Sequence, residues 1–250
     1  YETALHEISP IEISGYDKNF SNMAIDVDFS KGFQDLPLHI KYSFGGHLAM
    51  FIQPTYHFLS NEDKESAVKS ILQSIGNDVN IKDKTIMNYE ADISPLEKPF
   101  IIEGNLTTNS LLEKAGDNYL FKIGNIIGRQ VEMYQDKKRQ NDVELEHPHS
   151  YDREITFKIP DGFEVKELDK LNINISYGSD SLKMGFISSY VLSGNEVKVK
   201  IDEFYKQTFY PMEQFEDFRK VINAAADFNK IVLVLEKDVH FETLIYIEKE

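Results

Sequence analysis

A mainly β chain with two helices, built as antiparallel sandwich-like domains, is the fold class this sequence predicts. Three observations predict it. Apolar and polar residues alternate through most of the chain, the period of a half-buried strand. Only two stretches switch to a helical period, and each follows a run of strands, which argues against a parallel doubly wound sheet. The aromatic residues are 17 Phe and 13 Tyr without Trp, types that favour strands and fill sandwich cores. A length of 250 residues suits one large β domain or two ordinary ones.

Taken in order, Met23, Ile25, Val27 and Phe29 alternate with Asn22, Ala24, Asp26 and Asp28, a first strand. Gly32 and Asp35 mark a turn, and Leu36 to Phe44 is a second strand. After Gly45-Gly46, His47 to Phe58 reads as a third apolar strand, with Pro54 making its end an edge. Val68, Ile71, Leu72 and Ile75 then fall at i, i+3, i+4 and i+7, which predicts a helix over about 61–75. Ser60 is placed to cap it, with Asp63 three residues on, and Gly76 follows its last turn. Strands follow at 79–91, 100–111 and 119–123. Residues 135–142, QDKKRQND, contain no apolar side chain and mark a linker, so the division expected is 1–140 and 141–250.

Beyond it, Ile155, Phe157 and Ile159 share one face of a strand that stops at the turn Pro160-Asp161-Gly162. A meander follows over 165–168, 171–177, 182–192 and 196–204, with turns at 178–180 and 193–195. Phe215, Phe218, Ile222, Ala225 and Phe228 form the stripe of a second helix over about 212–228. An apolar run at 231–235 and an alternating stretch at 240–247 read as closing strands.

Composition excludes several chemistries. There is no cysteine, hence no disulfide, zinc–thiolate site or cysteine nucleophile. A net charge of −15 repels nucleic acid and acidic membranes, and Lys137-Lys138-Arg139 is too small a basic run to offset it. No run of about 18 apolar residues is present to span a membrane. The start, YETALHEISP, has no basic n-region, apolar h-region or Met, so the expectation is a mature, processed or excised piece of a longer chain.

The densest ionisable stretch is RQNDVELEHPHSYDREITFKIPDGF, residues 139–163. Within it Glu144, Glu146, His147, His149 and Asp152 are the metal candidates, because residues two apart on a strand share a face. Pro148 interrupts the pair and the spacing matches no well-formed zinc pattern, so a solvated approach to a strand is the preferred reading. His47 and His57 could serve as bases, but no G-x-S-x-G elbow supplies a nucleophile. Residues 124–128, Gly-Asn-Ile-Ile-Gly, lack the Lys-Ser/Thr of a phosphate loop and read as two turns. No catalytic residue, metal or cofactor is assigned.

Two segments, KPFIIEGNLTTNSLLEKAGDNYLFKIGNII (98–127) and YPMEQFEDFRKVINAAADFNKIVLVLEKD (210–238), with the opening stretch, carry a family likeness. Together with Arg139, Pro160, Gly162 and Phe163, their order resembles the C-terminal, non-catalytic β region of large exported bacterial transglutaminase-like proteins. That resemblance implies no enzyme within this chain, since the family's core needs Cys, His and Asp. It implies a covalently linked transglutaminase-like domain or an envelope protein as partner, and an extracytoplasmic location. The expected function is a non-enzymatic accessory or interaction module. The alternatives are a carbohydrate- or peptide-processing enzyme using Asp, Glu or His, and a cation-binding adhesion-type domain.

Overall fold

The computed structural model describes residues 14–90, 92–134, 139–178 and 181–238. The first two strands are β1 (Ser21–Val27) and β2 (Leu36–Phe44), an antiparallel pair whose alternate residues Met23, Ile25, Val27, Leu38 and Ile40 are buried. Helix α1 (Gly46–Phe58) comes next, then α2 (Asn61–Leu72), which runs on into a 3-10 turn at Gln73–Ile75. The Ser60 hydroxyl accepts the Asp63 N–H and caps α2, leaving Val68, Leu72 and Ile75 to be buried. Strands β3 (Asn80–Met87), β4 (Phe100–Thr108), β5 (Leu112–Ala115) and β6 (Asn118–Phe121) follow, then a 3-10 segment at Ile123–Ile127. After β7 (Val143–Glu144) come β8 (His149–Lys158), β9 (Phe163–Lys166), β10 (Ile173–Tyr177), β11 (Met184–Ser193), β12 (Glu196–Tyr205) and β13 (Phe209–Tyr210). Helix α3 (Phe215–Phe228) and strand β14 (Leu233–Lys237) complete the described elements. The alternating stretch at 240–247, the opening residues 1–13 and part of the 135–142 linker lie outside the described residues.

One eight-stranded sheet dominates, in the order β10-β11-β12-β8-β1-β2-β4-β3. Every neighbouring pair in it is antiparallel except β1 and β8, which run parallel, Ile25 opposite Ile155. A purely antiparallel architecture was the expectation; the sheet is mixed because β1 and β8 meet across a long crossover. A four-stranded antiparallel sheet, β5-β6-β14-β9, lies over its inner face, and β7 pairs with β13. The contact between the sheets is aromatic: Phe121 meets Phe29 and Phe157 edge to face at 5.3 and 5.4 Å. Beside it, α3 packs on β10 and β11, with Phe228 against Phe186 and Phe218 against Tyr205. The outer face is polar, with ion pairs such as Lys198–Glu154 at 2.9 Å and a contact of His39 with Glu103 at 3.2 Å.

Strands β1 to β4 fill one half of the large sheet, and β8 with β10 to β12 fill the other. Yet the halves form one continuous sheet, and the small sheet draws β5 and β6 from before residue 140 and β9 and β14 from after it. The two segments therefore share their core.

Among the described residues there are three α-helices rather than two, because residues 46–58 form α1 and not a strand. Ala49, Gln53 and Tyr56 face inward at i, i+4 and i+7, with the Tyr56 ring 5.5 Å from Phe100. The opposite face carries Met50, Phe51 and Phe58 in solvent, so apolar residues surround the helix and no 3.6-residue contrast shows in the sequence. Pro54 sits inside α1 instead of ending a strand; its ring nitrogen has no hydrogen to give the Met50 carbonyl one turn back.

Candidate functional site

The fold divides the histidines and carboxylates that crowd residues 144–152: His147 and His149 stay together with Glu146 beside His147, while Asp152 and Glu144 lie elsewhere. His149 begins β8 with its ring 5.1 Å from Tyr205 and 5.2 Å from Tyr151. Its Nδ1 lies 3.0 Å from the His147 carbonyl, which can only accept, so that nitrogen carries the hydrogen. Asp152, three residues on, points to the opposite face of β8, and Glu144 lies in β7. His47, which sequence reasoning treated separately, joins the pair: its ring stacks on His147 at 5.2 Å, and His147 stands 5.6 Å from His149. Burial, with these two imidazoles secondary, holds the His147 pKa below its ordinary value, while Glu146 opposes the shift. Among the described residues no group of three or more His, Asp or Glu is arranged to hold a metal ion. Asn19, wholly buried and missed by pattern reading, organises this corner. Its amide donates to the Pro148 carbonyl at 3.0 Å, and its side-chain oxygen accepts the His47 N–H at 3.0 Å. His57 lies elsewhere on α1, its Nδ1 buried without a partner.

On the inner face, Arg153 donates to Glu203 at 2.8 Å, both nearly solvent-free. The Tyr205 hydroxyl donates to the other Glu203 oxygen at 3.1 Å, and the Arg153 guanidinium lies 5.1 Å from the Tyr151 ring centre. Burial, then the Glu203 charge, pushes the Tyr205 hydroxyl well above its ordinary pKa. A sequence signal existed for this pair: Arg153 has the parity of Ile155 and Phe157, and Glu203 that of Val199 and Ile201. The network is closed and satisfied, the character of a structural pin.

On the outer face Asp202 sits directly across from Asp152 in the β8–β12 ladder. Desolvation, then the Asp152 charge and hydrogen bond, raise the Asp202 pKa, and Lys206 partly offsets this. A carboxyl raised in this way favours the folded state while it is protonated. That benefit is complete below the unfolded carboxyl pKa of about 4 and is lost as pH rises through the folded value. Asp202→Asn is therefore expected to raise the melting temperature by about 1–3 °C at about pH 7 and by nothing at about pH 3. An equal gain at both pH values would show that the pair does not repel.

A cleft of about 770 Å³ lies at the C-terminal ends of the parallel pair. It is bounded by Asp26 near the end of β1, Asp28 just after it, Asp161 after β8 and Glu196 at the start of β12, and Lys158 is the one base in its lining. Hydrogen bonds from Ser30 to the Asp28 carboxylate hold the Asp28 pKa down, so it stays charged. Phe33 and Phe163 form the apolar wall, 5.0 Å apart edge to face. Phe33 is backed by Tyr119, stacked at 3.8 Å. Three separate loops bring these groups together: the 3-10 turn at Phe29–Lys31, the Pro160-Asp161-Gly162 turn and the β11–β12 hairpin. The arrangement is an acidic rim around aromatic faces, suited to a cation on an apolar stem.

No helix among the described residues is long and apolar enough to cross a membrane. No curated protein and no solved structure matches the chain. One family profile does, from the start of β6 into β14, taking in β8 and β10 to β12 of the large sheet and leaving out β1 to β4. Residues 118–235 carry the domain described as "Domain of Unknown Function with solved-structure structure (DUF3858)".

Proposed function

We propose that this chain is a non-enzymatic interaction module whose cleft takes a Lys- or Arg-bearing peptide segment. The observation that carries the reading is the cleft's lining: four carboxylates against one lysine, beside the Phe33 and Phe163 rings. A carboxylate rim attracts the cationic head group and the rings accept its methylene stem, each contact being modest and additive along an extended segment. The wider setting we propose is the accessory β region of an exported, extracytoplasmic transglutaminase-like protein. It is supported by the resemblance of residues 98–127 and 210–238.

Titration with a labelled Lys/Arg-rich peptide of about ten residues tests the cleft. A Kd of about 10–100 µM is expected at about 50 mM salt, weakening about tenfold at about 300 mM. The double variant Asp161→Asn/Glu196→Gln should lose about tenfold in affinity. Equal affinity for a Glu/Asp-rich peptide, or no binding at about 1 mM, overturns the reading. The setting has its own test: an open reading frame that places a Cys–His–Asp core in the same polypeptide supports it, and one without such a core refutes it.

A further inference from the structure

Helix α1 breaks the surface rule the other two helices obey. α2 is rich in charge outside, with Glu62, Asp63, Lys64, Glu65 and Lys69, and α3 presents Glu216, Asp217 and Lys220. α1, GHLAMFIQPTYHF, has no Asp, Glu, Lys or Arg at all. Its outward residues are His47, Met50, Phe51, Pro54, Thr55 and Phe58, spaced three and four apart along one face. Met50 is 50% exposed, Phe51 65% and Phe58 80%. Leu96, 55% exposed, extends the strip, since the neighbouring Pro95 carbonyl accepts the Gly46 N–H at the start of α1. Among the described residues the two side-chain polar atoms buried without a partner, Gln53 Oε1 and His57 Nδ1, both belong to this helix.

We infer that the outward face of α1 is a self-association surface, and that its occupant is the α1 face of a second copy of this chain. Two arguments select the copy. The first is charge. At −15 overall, two copies repel across most of their surfaces. The α1 face has no formal charge of its own, so two copies meeting there bring fewer carboxylates together than elsewhere on their surfaces. The second is area. Four large side chains exposed to this extent present roughly 400–500 Å² of apolar surface, the size of the largest patch on a typical monomer, which is often a functional one. A two-fold contact counts it twice, giving roughly 800–1,000 Å² before any rim is added, which approaches the roughly 1,200–2,000 Å² of a stable interface. Phe51 and Phe58 are two turns apart on the same side, so in an antiparallel helix pair Phe51 of one copy meets Phe58 of the other. A bilayer is a poorer occupant, because no basic residue flanks the strip on α1 to hold an acidic chain at a lipid surface.

Sedimentation velocity of the full chain from about 1 to about 200 µM, at about 150 mM salt, tests the inference. A reversible dimer with a Kd of about 1–50 µM is expected. Phe51→Glu/Phe58→Glu should weaken it at least about 100-fold with circular dichroism unchanged, because both side chains already face solvent. Val191→Glu, equally exposed on β11, should leave the dimer intact. The native chain has no cysteine, so Thr55→Cys under mild oxidation should yield a disulfide-linked dimer and no other crosslinked species. A monomer at about 200 µM overturns the inference and assigns the strip to a linked domain or an unrelated protein. A dimer that survives the double Glu variant overturns it too.

Discussion

Arg153→Met is expected to lower the unfolding free energy by about 3–5 kcal/mol, the largest single-residue effect predicted here. In this protein the guanidinium is the cationic partner, at 2.8 Å, of a Glu203 carboxylate that is only 4% exposed. Without it Glu203 keeps the Tyr205 hydroxyl, at 3.1 Å, against a full desolvation cost. Urea melts should show the loss as a lower midpoint at constant slope, and thermal melts as a fall of roughly 10 °C. Arg153→Met/Glu203→Leu should recover most of it, since replacing both members of a buried pair removes both desolvation costs. If the double variant is less stable than either single one, the two side chains are not coupled and the pair is incidental.

Gly124→Ala is expected to cost about 3 kcal/mol by overpacking. A Cβ at this position would lie 2.3 Å from the Phe228 carbonyl oxygen and 2.6 Å from the Asn229 carbonyl, both backbone atoms at the end of α3. The close approach lets the Gly124 N–H reach the Ile231 carbonyl at 3.0 Å and lets Asn229 donate to the Gly124 and Gly128 carbonyls at 2.7 and 2.9 Å. One added methyl therefore strains the junction from which β14 enters the small sheet. Gly116→Asn is the control: its φ of 67° suits Asn and no atom lies within 4 Å, so it should cost under about 1 kcal/mol in the same urea melt. Equal losses at the two positions would mean that backbone conformation, not the α3 contact, governs Gly124.

These two residues show how far chain-local reading reaches. Gly-Asn-Ile-Ile-Gly was legible as turns, but what Gly124 approaches lies about a hundred residues away and leaves no local mark. Arg153 and Glu203 carry the inward parity of their strands, yet parity alone does not say that they are neighbours. The same holds for the histidines. His147 and His149 are two residues apart in sequence and stay close in space, whereas His47 reaches them where Asn19 ties the start of α1 to the Pro148 carbonyl. The cleft was invisible beforehand for a like reason, its rim being assembled from three loops.

The strands that bury one face announced themselves. β2 runs from Leu36 to Phe44 as its alternation predicts, and α2 begins at the cap that Ser60 and Asp63 imply. α3 follows its apolar stripe, Phe215 through Phe228. Each shows its geometry because solvent wets one side and the core excludes it from the other, so period becomes composition. α1 is the counterexample: its outer face is apolar as well, the contrast vanishes, and contact with Phe100 and the strands beneath decides helix over strand. Element type, then, was written along the chain wherever burial was one-sided. Partnership was not: the parallel seam of β1 with β8 and the insertion of β14 between β6 and β9 were decided only in the folded molecule. Those choices rest on side-chain packing between residues far apart in sequence, and that packing exists only once the chain has closed on itself.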